Sequence, residues 1–263
     1  MLIIPSPDRL PFHPVLPGGW DAFIWHHQRV KVRRGWAKDG LVWVPIMQMA
    51  AAYQASATGN GFSAQAGATS ALSISGSERA AIVLFYIADT GVSGIAVTVG
   101  GVSCTAVSGA TVTGNGITMA LYVCVNPPTG SQTANATWTG TSNWLIACIQ
   151  ATGVDQTTPT TTGVSVGSAS GTSQDVPVTS TSGDLTVTGN FCSAVDTAQT
   201  TNKTKRTTDY ACLDTGNGTG TQTHTWSHTL TNMQAVGTNL KAAGAAAPPD
   251  QFAKVLIKAS PNA

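Results

Sequence analysis

The chain alternates between apolar blocks and short polar or glycine-rich breaks. Ala80 to Ala88 is almost unbroken apolar sequence, Ile95, Val97 and Val99 then alternate with small or hydroxylated residues, and Ile117, Met119, Leu121, Val123 and Val125 repeat that alternation. The run reads as a series of β-strands with a hydrophobic core. Turn chemistry separates the blocks: Asp89-Thr90-Gly91, Gly100-Gly101, Gly114-Asn115-Gly116 and Asn126-Pro127-Pro128-Thr129-Gly130. The pattern continues with Ala134, Ala136 and Trp138, with Trp144 to Ile149, with the pairs Val164/Val166 and Val176/Val178, with Leu185 to Phe191, and with the Thr-rich run Thr223 to Leu230. Helical periodicity is almost absent. Roughly eight to ten strands at this spacing predict an all-β protein, built as a jelly-roll-like antiparallel β-sandwich over residues 77–243.

The segments outside that domain read differently. Residues 1–49 combine an extended arm, with prolines at 5, 7, 11, 14 and 17, and a small Trp-rich hairpin turning at Lys38-Asp39-Gly40. Two strands are marginal alone, so this module is expected to dock on something larger. Residues 50–76 are rich in Ala, Ser and Gly and read as a linker. Residues 244–263 continue a second linker, AAGAAAPPD (242–250), and are expected to end in an edge strand over Phe252 to Lys258.

Charge narrows the choice of partners. Charged residues make up 10% of the chain, against about 25% in an average soluble domain. Between Arg79 and Lys203 there is no Lys or Arg, so the middle cannot form a basic nucleic-acid footprint, and no nucleic acid is expected as partner. The N-terminus lacks the basic and apolar regions of a signal peptide, and no apolar stretch is long enough for a membrane-spanning helix; synthesis in a cytoplasm is the expectation. The five cysteines, Cys104, Cys124, Cys148, Cys192 and Cys212, are odd in number and widely spaced. They read as small buried hydrophobes rather than as a disulfide framework.

Chemistry is sparse. The serines stand in no context that marks a nucleophile, and Glu78 is the sole glutamate, while most aspartates sit beside Gly, Thr or Ser in apparent turns. No catalytic residue, cofactor site or metal site is assigned, and the chain is not expected to be an enzyme. His224 and His228 share a strand face, but positions four apart span about 13 Å, too far for one ion; exposed or hydrogen-bonded histidines are expected. Two groups remain as contact candidates. Trp20, Trp25, Arg29, Lys31, Arg33, Arg34, Trp36 and Trp43 make the N-terminal module aromatic and basic, suited to an assembly contact. Lys203, Lys205, Arg206 and Tyr210 form a polar loop suited to surface binding.

Four stretches, VTVGGVSCTAV (97–107), LYVCVNPPTGSQTANATWTG (121–140), WLIACIQATGVDQTTP (144–159) and GDLTVTGNF (183–191), resemble a β-sandwich domain of tailed bacteriophages and their prophages. Separately, RVKVRRGWAKDGLVWVPI (29–46) is similar to a Trp and Gly hairpin of minor tail proteins from phages of Actinobacteria. The resemblance implies a virion structural protein, a minor tail or tail-tip component located in the virion. Its partners would be other virion proteins and its own copies in a symmetric homo-oligomer, a trimer first, with host-surface glycan as a further partner. A capsid decoration protein and a glycan- or receptor-binding module are the alternatives.

Overall fold

A computed structural model of the chain describes residues 49–169, 172–192, 199–207, 211–228 and 233–244, together with the backbone of four short strands between Phe23 and Val42. The chain divides into two compact units, residues 1–47 with 245–263, and residues 48–244. Among the described residues there is no helix, and the strands pair antiparallel.

In the first unit β1 (Phe23–His26) pairs with β2 (Gln28–Lys31), and β3 (Ala37–Lys38) with β4 (Leu41–Val42). The β1–β2 ladder sets Trp25 opposite Arg29 and Phe23 opposite Lys31. The proline-rich arm and the C-terminal segment lie outside the described residues.

The second unit contains β5 (Ala52–Ala68), β6 (Leu72–Ile74), β7 (Ala80–Ile87), β8 (Ser93–Val99), β9 (Val102–Ser103), β10 (Thr105–Gly114), β11 (Ile117–Val125), β12 (Gly130–Gln132) and β13 (Ala134–Thr152). It continues with β14 (Val164–Ala169), β15 (Ser173–Val178), β16 (Leu185–Phe191), β17 (Thr200–Thr201), β18 (Thr204–Lys205), β19 (Ala211–Asn217), β20 (Gln222–Ser227) and β21 (Met233–Leu240). The main sheet runs β10-β11-β7-β13-β8-β9, with β5 on the far edge of β13.

The long strand β13 does two jobs. Its second half, Trp144 to Ala151, pairs with β7, and its first half, Ala134 to Thr139, pairs with β8 along the same edge. The bend between them carries register shifts and Gly140 at φ +92°. The sheet therefore curls until its two end strands, β9 and β10, are consecutive segments of one run joined at Cys104. Inside the curl lies one apolar core, built from Val83, Phe85, Ile87, Tyr122, Trp138 and Ile146. On the outer face of β7, the alternate residues Ile82, Leu84 and Tyr86 join Met119, Leu121 and Ile149 in a second core. β7 is thus buried on both faces, which is why its sequence is continuously apolar.

A second sheet, β14-β21-β16-β19-β18, closes the second core with Leu185, Val187, Phe191, Leu213 and Val236. Its other face receives the sheet β15-β20-β17 through Val176, Val178, Trp226 and Met233.

The expected linker over 50–76 is instead structural. β5 runs antiparallel to β13 along nearly its whole length, and β6 pairs with β12. Its small residues serve close packing: a Cβ at Gly61 or Gly67 would lie 2.7 or 2.5 Å from the Trp144 ring. The strand can wrap that indole only with hydrogen at these positions. Accordingly, the second unit begins near residue 48, not at 77.

Candidate functional site

The basic loop comes first. Lys203 Nζ donates to Gln222 Oε1 at 3.0 Å, and Lys205 Nζ donates to the Gln199 carbonyl at 2.7 Å. The Arg206 guanidinium lies 3.8 Å over the Tyr53 ring centroid, and its Nε donates to Thr215 Oγ1 at 2.7 Å. The fold thus brings Lys203, Lys205 and Arg206 to one segment and turns each head group to an internal partner, tying residues 199–207 to β5, β19 and β20. Tyr210 lies outside the described residues. In the N-terminal module Trp25, Arg29 and Lys31 are placed on the β1–β2 ladder by backbone alone; Trp20, Arg33, Arg34, Trp36 and Trp43 lie outside the described residues.

A polar cluster that the sequence reading did not assemble sits between the second and third sheets. His224 Nδ1 lies 2.7 Å from Asp214 Oδ1, and His224 Nε2 lies 2.9 Å from Thr186 Oγ1. Thr188 Oγ1 donates to the same Asp214 oxygen at 2.6 Å and accepts from Trp226 Nε1 at 2.8 Å. The second Asp214 oxygen accepts from Thr201 Oγ1, and Thr186 donates its hydroxyl hydrogen to the Gly216 carbonyl at 2.9 Å.

Asp214, His224, Thr186 and Thr188 are all fully buried. Carboxylate, imidazole and hydroxyl stand in the order used to activate a nucleophile. Here the hydroxyl faces a backbone carbonyl inside a packed interface, with no room for a substrate. The arrangement joins two sheets. Asp214 is in the middle of β19, away from any turn, and its buried carboxylate meets His224 of β20.

The run Gly163-Val164-Ser165-Val166-Gly167 has the Gly-x-Ser-x-Gly spacing of a hydrolase elbow, which corrects the expectation that no serine stands in such a context. Val164 to Gly167 lie in β14 (Val164–Ala169), with Ser165 opposite Val236. A flat strand lacks the sharp strand-to-helix turn that presents such a serine. Among the described residues no group of three or more His, Cys, Asp or Glu is arranged to hold a metal ion. Likewise, among the described residues no helix is long and apolar enough to cross a membrane.

An open groove of about 510 Å³ runs between the start of β10 and the 156–162 segment. Its walls are Ser103, Thr105, Ser108, Gln156, Thr157 and Thr160 to Thr162, over a floor that includes Val107, Val123 and Val125. Asp155 shapes one wall. Its Oδ1 accepts from the amides of Thr157 and Thr158 at 2.8 and 3.1 Å. Those bonds, helped by Lys241, hold its carboxyl below the usual carboxylate range.

The cysteines complete the inventory. No disulfide joins them, and Cys124, Cys148, Cys192 and Cys212 are buried as expected while Cys104 is half-buried. Cys104 and Cys124 interact directly. The hydrogen bond from Cys104, with the Val99 amide, favours the first thiolate on Cys124 against the cost of burial, and the same contact pushes the Cys104 thiol up.

Fold and site together define a layered, antiparallel all-β protein whose described polar groups are largely spent on holding layers together. The chain matches no protein-family model, no curated protein and no solved structure.

Proposed function

We propose that this chain is a structural component of a phage virion, a minor tail or tail-tip protein without enzymatic activity. In this reading the N-terminal arm and Trp-rich hairpin dock it into the particle, and the sheet stack, jelly-roll-like in its sandwich character, is displayed outward in a symmetric homo-oligomer. The observation that supports it most is the fate of the ionisable groups in the stack. Lys203, Lys205, Arg206 and the His224–Asp214 pair are all bonded within the chain. Such a unit suits a permanent scaffold better than a reaction centre. Antibody labelling of purified virions by electron microscopy tests it: tail-tip label is expected, head-shell label would move the protein to capsid decoration, and particles without label would overturn the reading.

One observation favours a second reading, a glycan- or receptor-binding module. The groove beside β10 offers several hydroxyls and Gln156 above an apolar floor, and convergent polar groups over apolar surface suit a polyhydroxylated ligand. Binding of the full chain to host cell-wall glycan, lost in a Thr105→Val, Gln156→Ala variant, is the expected result. Equal binding by that variant would remove the groove from consideration.

A further inference from the structure

The curled main sheet closes at a seam where two cysteines face each other. The β10–β11 ladder pairs Thr105 with Val123 and Ala106 with Tyr122; one further step in the same register sets Cys104 opposite Cys124. Directly opposed residues on antiparallel strands have Cα atoms about 4.5–5.5 Å apart, inside the roughly 4.4–6.8 Å range that a disulfide accepts. The side chains converge as well. Both sulfurs approach the Val102 carbonyl, Cys104 Sγ at 4.0 Å and Cys124 Sγ at 3.5 Å.

We propose that Cys104 and Cys124 are a disulfide-forming pair that locks the curled sheet where β9 passes into β10. The position gives the bond a mechanical meaning. Cys104 donates its backbone N–H to Val97 on β8, so the residue belongs to the β8 hairpin as well as to the start of β10. A bond from Cys104 to Cys124 would therefore fasten the β9/β10 junction covalently to β11, at a residue that is also hydrogen-bonded to β8. The oxidant is a low-molecular-weight disulfide. The Cys124 sulfur, the one on which the first thiolate is favoured, attacks one sulfur of that molecule as the chain folds, forming a mixed disulfide and releasing one small thiol. The Cys104 sulfur then loses its proton and attacks Cys124 Sγ, forming the internal bond and releasing the second small thiol. Two electrons pass from the protein to the oxidant.

The other cysteines are poor competitors. Cys148 is paired with Val83 on β7, and β7 separates it from β11; two strand spacings amount to about 10 Å. Cys212 is opposite Asn190, which leaves Cys192 two positions out of register with it.

The full chain, refolded from denaturant in oxidised glutathione and again in excess reductant, tests the proposal by thiol titration and peptide mapping. Oxidation should remove two of the five thiols, yield a Cys104–Cys124 linked peptide in monomeric protein, and raise the melting temperature relative to the reduced form. Cys104→Ser and Cys124→Ser should each abolish both the thiol loss and the shift, whereas Cys192→Ser should leave them intact. Retention of all five thiols, or a bond that joins other cysteines, overturns it.

Discussion

His224 Nδ1 and Asp214 Oδ1 meet at 2.7 Å with both side chains fully withdrawn from water. β19 brings the carboxylate and β20 the imidazole, so the contact joins the second sheet to the third. Removing one partner of a buried pair leaves an uncompensated polar group and costs about 3–5 kcal/mol. Asp214→Ala should lower stability by about that amount, and Asp214→Asn by less, because an amide oxygen can still accept from Thr188. Urea denaturation checks this; a loss in Asp214→Ala below about 1 kcal/mol would contradict the role given to the pair.

The second prediction concerns the wrap of β5 around Trp144. Gly67→Ala pushes a methyl into the indole and should cost about 1–3 kcal/mol, with a change in tryptophan emission. The penalty should shrink in a Trp144→Leu background. Equal penalties in both backgrounds would show that the ring is not the obstacle.

Arg79 carries the third. Its Nε donates to the Pro127 carbonyl at 2.9 Å, Nη1 to the Gly76 carbonyl at 2.9 Å and Nη2 to Asn126 Oδ1 at 2.6 Å. These bonds hold the Asn126-Pro127-Pro128 turn, where Asn126 has φ +51°. Arg79→Ala should destabilise the protein by about 2 kcal/mol, the scale of hydrogen bonds to a charged group. Faster amide exchange at Asn126, Thr129 and Gly130 than at β16 is the expected local signature.

A pH dependence follows from Asp155. Its carboxyl is depressed in the folded state, so its contribution is complete above the ordinary carboxylate range and is lost as pH falls through the lower, folded value. Acidification through that window should speed amide exchange at Thr157 and Thr158, and Asp155→Asn should remove this acid-induced step. An unchanged profile in the variant would exclude Asp155 as its source.

Much of the fold was legible because strand alternation is a local signal. The Ala80 to Ala88 block read as a strand of the hydrophobic core, and the structure makes Ala80–Ile87 the centre of the curled sheet with separate cores on its two faces. Glycine and alanine carry the opposite information. In β5 they looked like a linker, since a residue chosen to let an indole approach cannot be told locally from one chosen for freedom. Period-two alternation cannot tell how deeply the threonines of β16 lie: Thr186 and Thr188 are fully buried because a third sheet covers them. The basic loop shows the same limit: Lys203, Lys205 and Arg206 were readable as a cluster, but their internal partners come from β5, β19, β20 and Gln199.

What the amino-acid order determined by itself was the class and the rhythm: all-β, antiparallel, charge-poor, with turns at Gly, Asn and Pro. Periodicity and turn chemistry act over a few residues, so they survive without knowledge of the rest of the chain. Only the tertiary structure decided that β13 bends to serve β7 and β8, that His224 meets Asp214, and that Cys104 stands opposite Cys124. Each of these depends on register between strands and on which sheet covers which face, and no window of local sequence contains either.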